Sequence, residues 1–246
     1  MARLMRRLAL VVTGTALAIA VSGCGITGDS LALRPAGPGG DMASGEPGPA
    51  ITGLDRLPVH APAGMTGYSR SAYGPAWDDG VNVPDGHDHC DTRNDILIRD
   101  LASITFRYGH CEVGAGILHD PYTGKIIHFT RGVRTSLNVQ IDHVVALGDA
   151  WQTGAQRLTR GQRADLANDP LELLAVDGPV NQAKGDADAA DWLPPDRAFR
   201  CAYVARQVAV KAKYGLWVTA PEKRAMHRVL SSCPGQHLPR EPGALG

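Results

Sequence analysis

The chain has no excess of charge of either sign and no internal repeat. Its 25 basic residues balance 25 acidic ones over 246 positions, so net charge points to no nucleic-acid or membrane partner, and any basic contact surface must be local. Aromatic residues make up only 5% of the chain, beside 43% apolar and 20% charged residues. That is ordinary globular composition, and it excludes collagen-like, coiled-coil and multi-span membrane architectures. The sequence contains no GxSxG elbow, no HExxH helix, no phosphate-binding GxxxxGK[ST] loop and no dinucleotide fingerprint, which removes the enzyme classes those motifs serve. CxxC is missing too. The 29 glycines and 17 prolines are uneven, with many before residue 90, so the packed core should come mostly from the second part of the chain as one folded domain.

Export is written at the N-terminus. Arg3, Arg6 and Arg7 precede a run from Leu8 to Val21 that is apolar apart from Thr13, Gly14 and Thr15, matching the basic and hydrophobic regions of a signal peptide over residues 1–24. The run is short for a membrane span. It ends Val21-Ser22-Gly23-Cys24, which resembles the bacterial lipoprotein cleavage motif, in which the cysteine is lipidated and becomes the new N-terminus. More than one acyl chain on Cys24 would give stable anchoring at ~0.8 kcal/mol per buried methylene. The expected location is therefore the outer face of the cell membrane, lipid-anchored, with release to the medium as the variant. Without residues 1–24 the chain holds 22 basic and 25 acidic residues.

Cys90, Cys111, Cys201 and Cys233 remain, an even set in an exported chain, and so read as two disulfides. Residues 25–65, rich in Gly, Pro, Ala and Ser, read as a flexible tether, residues 66–90 as loop, and residues 234–246 as a disordered tail. Regular structure is expected from near Asp91. Ile96, Leu97, Leu101 and Ile104 predict a helix over 93–103. GAGILHD and KIIHFTR flank the turn cluster Asp120-Pro121-Tyr122-Thr123-Gly124, a hairpin signal. Val139 to Val145 is a further strand. Two short helices follow, then LELLAV as a strand and a short helix from about Pro179. Two C-terminal helices are predicted over 198–214 and 219–231, the first ended by Gly215 and the second started by Thr219-x-x-Glu222, a capping-box pattern. As antiparallel neighbours they would bring Cys201 to Cys233, leaving Cys90 for Cys111. Each loop closure would contribute about 3 to 4 kcal/mol.

The chemistry is concentrated between Gln140 and Trp192: Ile141-Asp142-His143-Val144-Val145, then Asn168-Asp169-Pro170, then Asn181-Gln182-Ala183-Lys184-Gly185-Asp186. This order resembles the HNH, or His-Me finger, nuclease motif, in which a DH on a strand, an Asn in the following loop and an NxxK on a helix build a ββα-metal site. It also resembles exported actinobacterial HNH endonuclease family proteins, over most of Asp88 to Cys233. The resemblance implies an α+β fold: a ββα-metal finger embedded in a small disulfide-braced nuclease domain, residues 66–233, with a C-terminal helical hairpin.

Each position then has a task. Carboxylate and amide oxygens are hard donors suited to Mg²⁺ or Mn²⁺, so Asp142 and Asn181 are the metal-ligand candidates. His143 is the candidate general base, since a neutral imidazole accepts a proton from water near neutral pH. Adjacent strand residues face opposite ways, so a twist or bulge at the strand end is expected if Asp142 and His143 are to serve one site. By resemblance Asn168 fixes the loop and orients His143, and cleavage leaves a 5′-phosphate. Lys184, one helical turn after Asn181, is expected to contact phosphate as a point charge, the plainer alternative being a solvated helix lysine. Asp186 is a further metal candidate or a surface acid.

His87-Asp88-His89-Cys90 looks metal-like, yet Cys90 is better used in a disulfide. Trp151 and Trp192 read as packing anchors. Arg93, Asp100 and Glu222 carry no assignable role. The segment 197–228 holds eight basic residues against Glu222 alone, a local surface for salt-sensitive DNA binding, or else solvated helix faces. The expectation is a metal-dependent, largely nonspecific endonuclease acting on DNA and, as a second substrate, RNA, with no protein partner. The alternatives are a non-catalytic surface lipoprotein that binds nucleic acid or an envelope partner, and an exported hydrolase of another phosphodiester.

Overall fold

Residues 49–239 are described by the structure, a computed structural model. The signal segment and Cys24 lie outside the described residues. Among those described, no helix is long and apolar enough to cross a membrane.

Folded structure starts earlier than the Gly/Pro composition suggests. Helix α1 spans Ala50–Arg56 and buries Ala50 and Leu54. It packs on two C-terminal helices, α6 (Arg200–Lys213) and α7 (Ala220–Ser231). The expected tail meets it, because the Ala50 amide donates to the Gln236 carbonyl at 2.8 Å and Pro49 bridges His237. The tether boundary at 65 and the disordered tail from 234 are thus both corrected. Ala50, Leu54 and Leu57 form an apolar i, i+4, i+7 face, and its burial outweighs the flanking glycines and prolines.

Helix α2 (Thr92–Asp100) is capped by Asp91, whose side chain accepts from the Asn94 amide. It stops before the predicted end because strand β1 (Leu101–Tyr108) takes over, with Leu101 paired to Leu118. Strand β2 (Glu112–His119) and strand β3 (Ile126–Thr130) form the hairpin around residues 120–124 and complete an antiparallel sheet in the order β1-β2-β3. Cys90 is bonded to Cys111, at a Cα separation of 5.4 Å, which ties the loop before α2 to the start of β2.

A second antiparallel pair carries the motif: β4 (Val139–His143) against β5 (Leu173–Asp177). Between them run α3 (Leu147–Gln152) and α4 (Arg160–Asn168), and after them α5 (Gly178–Lys184). All five residues of β5 are buried. Its period-two alternation explains why: Leu173 and Ala175 enter the core beneath the three-stranded sheet, whereas Leu174 and Val176 enter the larger helical core. The pair is therefore a partition between two apolar clusters, which fixes its register.

On the helical side, Tyr203, Gln207 and Lys211 lie on the buried face of α6. The Thr219 hydroxyl accepts from the Glu222 amide and the Glu222 carboxylate accepts from the Thr219 amide, the reciprocal cap expected for α7. Cys201 and Cys233 are bonded across the α6–α7 hairpin, with Cα atoms 6.4 Å apart.

Candidate active site

Asp142 and His143 are the last two residues of β4, and the pairing with β5 is regular through them, Asp142 opposite Leu174 and His143 opposite Leu173. The expected bulge is absent. The two side chains diverge as strand geometry requires, and both still line one cavity of about 270 Å³ with Asn181, Asp186, Gln140 and Arg70.

Asp142 is 5% exposed. Oδ1 accepts from the Lys184 ammonium at 2.9 Å, and Oδ2 accepts from the Tyr122 hydroxyl. Burial pushes its pKa up, while the Lys184 charge and both hydrogen bonds draw it back toward the ionised form. Lys184 also donates to the His143 carbonyl at 2.7 Å, and its side chain is fully buried. The expected phosphate contact is corrected here. One turn of α5 beyond Asn181, the lysine points inward, where the Asp142 carboxylate and the His143 carbonyl compensate its buried ammonium.

His143 Nε2 lies 3.0 Å from the Ala167 carbonyl oxygen. A carbonyl only accepts, so Nε2 carries the proton and Nδ1 is left with a free lone pair. Desolvation lowers its pKa from 6.5 to about 3, opposed by the Ala167 bond and reinforced by Arg70 and Lys184. The imidazole is thus neutral across the physiological range. The Trp77 indole lies nearly parallel to it, at 12° with ring centroids 6.1 Å apart.

Asn168, at the end of α4, acts one residue away from that contact. Its Oδ1 accepts from the Asp78 amide at 3.0 Å and its Nδ2 donates to the Ala164 carbonyl at 3.0 Å. These bonds join the end of α4, where the Ala167 carbonyl meets His143, to the backbone beside Trp77. A second cavity, of about 280 Å³, is also lined by His143, with Arg70, Tyr73, Trp77 and Asn168. Arg70 lines both cavities.

Whether a divalent cation suits the site rests on its donors. Asn181 Nδ2 donates to Gln140 Oε1 at 3.0 Å, leaving Asn181 Oδ1 without a hydrogen-bond partner among the described residues. Asp142 keeps a second lone pair on each oxygen. With Asp186 on the same wall, the set is all oxygen, which fits a hard cation that retains water. Three denser groups of candidate ligands occur among the described residues, and each is otherwise engaged. Two include disulfide-bonded cysteines. The third, Asp149, Asp188 and Glu222, surrounds Lys211, whose ammonium lies 3.1 Å from Asp149 and 2.7 Å from Glu222.

The basic segment 197–228 is also redistributed. Lys211 is buried, Lys213 pairs with Asp169 at 2.8 Å, Arg206 donates to the carbonyls of Pro170, Leu171 and Leu173, and Lys223 donates to those of Asp55 and Leu57. With Arg200, which donates to the Pro194 carbonyl, five of its eight cations brace the fold. Arg93 and Asp100 do the same, Arg93 donating to the Val139 carbonyl and Asp100 accepting from the Ala175 amide.

Sequence reasoning missed Tyr122, Arg70 and Trp77. Tyr122 stands in a turn cluster, where an aromatic looks incidental. Arg70 and Trp77 lie in a segment whose only local signal is loop.

The family model describing the C-terminal domain of GmrSD restriction endonucleases matches residues 91–229. A protein of Arthroderma benhamiae described as an uncharacterized secreted protein is 35% identical over 182 residues, covering 73% of this chain and 82% of that relative. No solved structure matches.

Proposed function

The chain belongs to the family of GmrSD restriction endonuclease C-terminal domains, an HNH-like nuclease family, and we propose that it is an exported, divalent-metal-dependent endonuclease that hydrolyses phosphodiester bonds of DNA, with RNA as a second substrate. One observation carries the reading. A buried imidazole, its Nε2–H committed to the Ala167 carbonyl, shares a cavity with a buried carboxylate and an unengaged amide oxygen.

His143 Nδ1 takes the proton of the attacking water. Its low pKa in the free protein keeps it unprotonated and ready, and the negative charge of a phosphate in the adjoining cavity raises its basicity as the reaction proceeds. The Ala167 carbonyl fixes the tautomer, and Asn168 holds that carbonyl. Held by Asp142 and Asn181, Mg²⁺ or Mn²⁺ would supply Lewis-acid stabilisation of the charge on the phosphate and the leaving 3′-oxygen. Lys184 and Tyr122 keep the Asp142 carboxylate ionised and oriented. Arg70, open to both cavities, binds phosphate in place of Lys184, and Trp77 shields one side of His143 from bulk water.

The two disulfides and the signal-like N-terminus support a site of action outside the cytoplasm, as does the secreted relative. Lipidation at Cys24 would hold the enzyme at the membrane surface. Plasmid digestion by the purified protein tests the whole reading: Mg²⁺ or Mn²⁺ should support cleavage, and chelation or His143→Ala should abolish it. Undiminished cleavage by that variant would refute the assigned base, and no cleavage with any divalent ion would favour a binding lipoprotein.

A further inference from the structure

A third concavity, of about 520 Å³, lies away from His143, between the loop after α5 and the α6–α7 hairpin. Arg197, Arg200 and Arg228 line it, with Asp191 as the acid among them and Trp192 on one wall. Arg197 and Arg228 are exposed and make no ion pair among the described residues. Arg200 Nε donates to the Pro194 carbonyl at 2.7 Å, which fixes the side chain and leaves its terminal N–H groups for a ligand. Arg197 and Arg228 thus gather here beside Arg200.

The groove neighbours the candidate active site along the chain. Asp186 lines the cavity of Asp142 and Asn181, whereas Ala189 lines the groove. Three residues span at most about 11 Å, so the two concavities are neighbours along one stretch of chain. They also share a partition, since the Trp192 ring packs on Tyr122 at 5.2 Å between centroids, and Tyr122 holds Asp142.

We infer that this groove binds the sugar-phosphate backbone of a single nucleic-acid strand a few nucleotides from the bond being cut, with Arg197, Arg200 and Arg228 on phosphates and Trp192 offering an aromatic face to a base. The inference rests on the nuclease reading for its orientation toward the site, while the binding itself is independent of cleavage. Guanidinium groups suit phosphate oxygens, and an aromatic wall beside a cationic track is the general architecture of strand binding without sequence preference.

The experiment measures binding of a labelled oligothymidylate to the full chain by fluorescence anisotropy, in chelator so that nothing is cut, across a range of salt. Replacing Arg197 and Arg228 together by alanine should lower the slope of log affinity against log salt by about 1.4, the release expected for two single-strand phosphate contacts. Replacement of both by lysine should keep most of the slope. An unchanged slope in the alanine variant, or no binding by the unmodified protein, overturns the proposal. So does a loss confined to duplex, or to vesicles containing phosphatidylglycerol, in parallel titrations. A protein that binds but never cleaves would remove the endonuclease assignment and leave the groove standing, whereas one that cleaves with arginine-independent binding would remove the groove alone.

Discussion

Replacing Lys184 by methionine isolates the interaction on which the site's charge balance depends. The ammonium is wholly buried, 2.9 Å from Asp142 Oδ1 and 2.7 Å from the His143 carbonyl. At that separation and an effective dielectric near 20, the gross attraction is about 6 kcal/mol. Desolvation of both groups offsets much of it, so the informative quantity is the cost of stranding the partner. Removing one member of a buried pair leaves an uncompensated charge and costs about 3 to 5 kcal/mol. In a domain of this size that corresponds to a fall in Tm of roughly 10 °C. Loss of the lysine also removes the largest influence that lowers the Asp142 pKa, so the carboxyl moves further toward its neutral form and metal-dependent cleavage should disappear with stability. Chemical denaturation of Lys184→Met, Asp142→Asn and the double variant checks this. The double variant should recover part of the loss, because the charge left unpaired by Lys184→Met is gone. A single-variant cost below about 1 kcal/mol with normal cleavage, or strict additivity in the double variant, would show that the pair is not what holds Asp142.

The depressed pKa of His143 has a definite sign: the unfolded imidazole binds its proton near pH 6.5 and the folded one only near 3, so stability falls as the pH drops through that window, by about 1.4 kcal/mol per pH unit from this group. Denaturant titrations from neutral to acid pH should therefore show a shallower decline for His143→Gln than for the unmodified protein. Gly178 opens α5, and a Cβ there would meet the Leu137 carbonyl oxygen at 1.9 Å; Gly178→Ala should lower Tm by several degrees or more and weaken divalent-ion-dependent stabilisation, since α5 carries both Asn181 and Lys184. Replacing Cys201 and Cys233 by serine should cost about 3 to 4 kcal/mol in chemical denaturation, the entropy of closing a loop of 32 residues.

Much of the fold could be read directly. The two strands and the closing helix between Val139 and Lys184 follow from short apolar runs bounded by turn residues and from a helix start near Pro179. The α6–α7 hairpin and its disulfide followed from helix periodicity, the cap at Thr219 and two well-placed cysteines. Helix α1 did not, because seven residues lack independent stability and form only where α6 and α7 supply a surface. Similarly, β1 begins inside an apparently helical pattern, since Leu101 finds its partner in Leu118, seventeen positions later.

The amino-acid order determined which chemical groups this protein brings: an acid, an imidazole and two amides, in an order that matches a nuclease motif, on elements whose periodicity is local. Tertiary structure alone decided how each group is charged and where it points. Lys184 turned out to be a counter-ion rather than a phosphate contact, Arg70 and Trp77 came to flank His143 from a segment with no regular pattern, and five of the eight cations of a basic run came to hold carbonyls and acids of the fold. The reason is physical: periodicity reports which face of an element is apolar, whereas the state of a buried charge depends on partners brought near by folding, such as Tyr122 and Asp142, twenty residues apart in the chain.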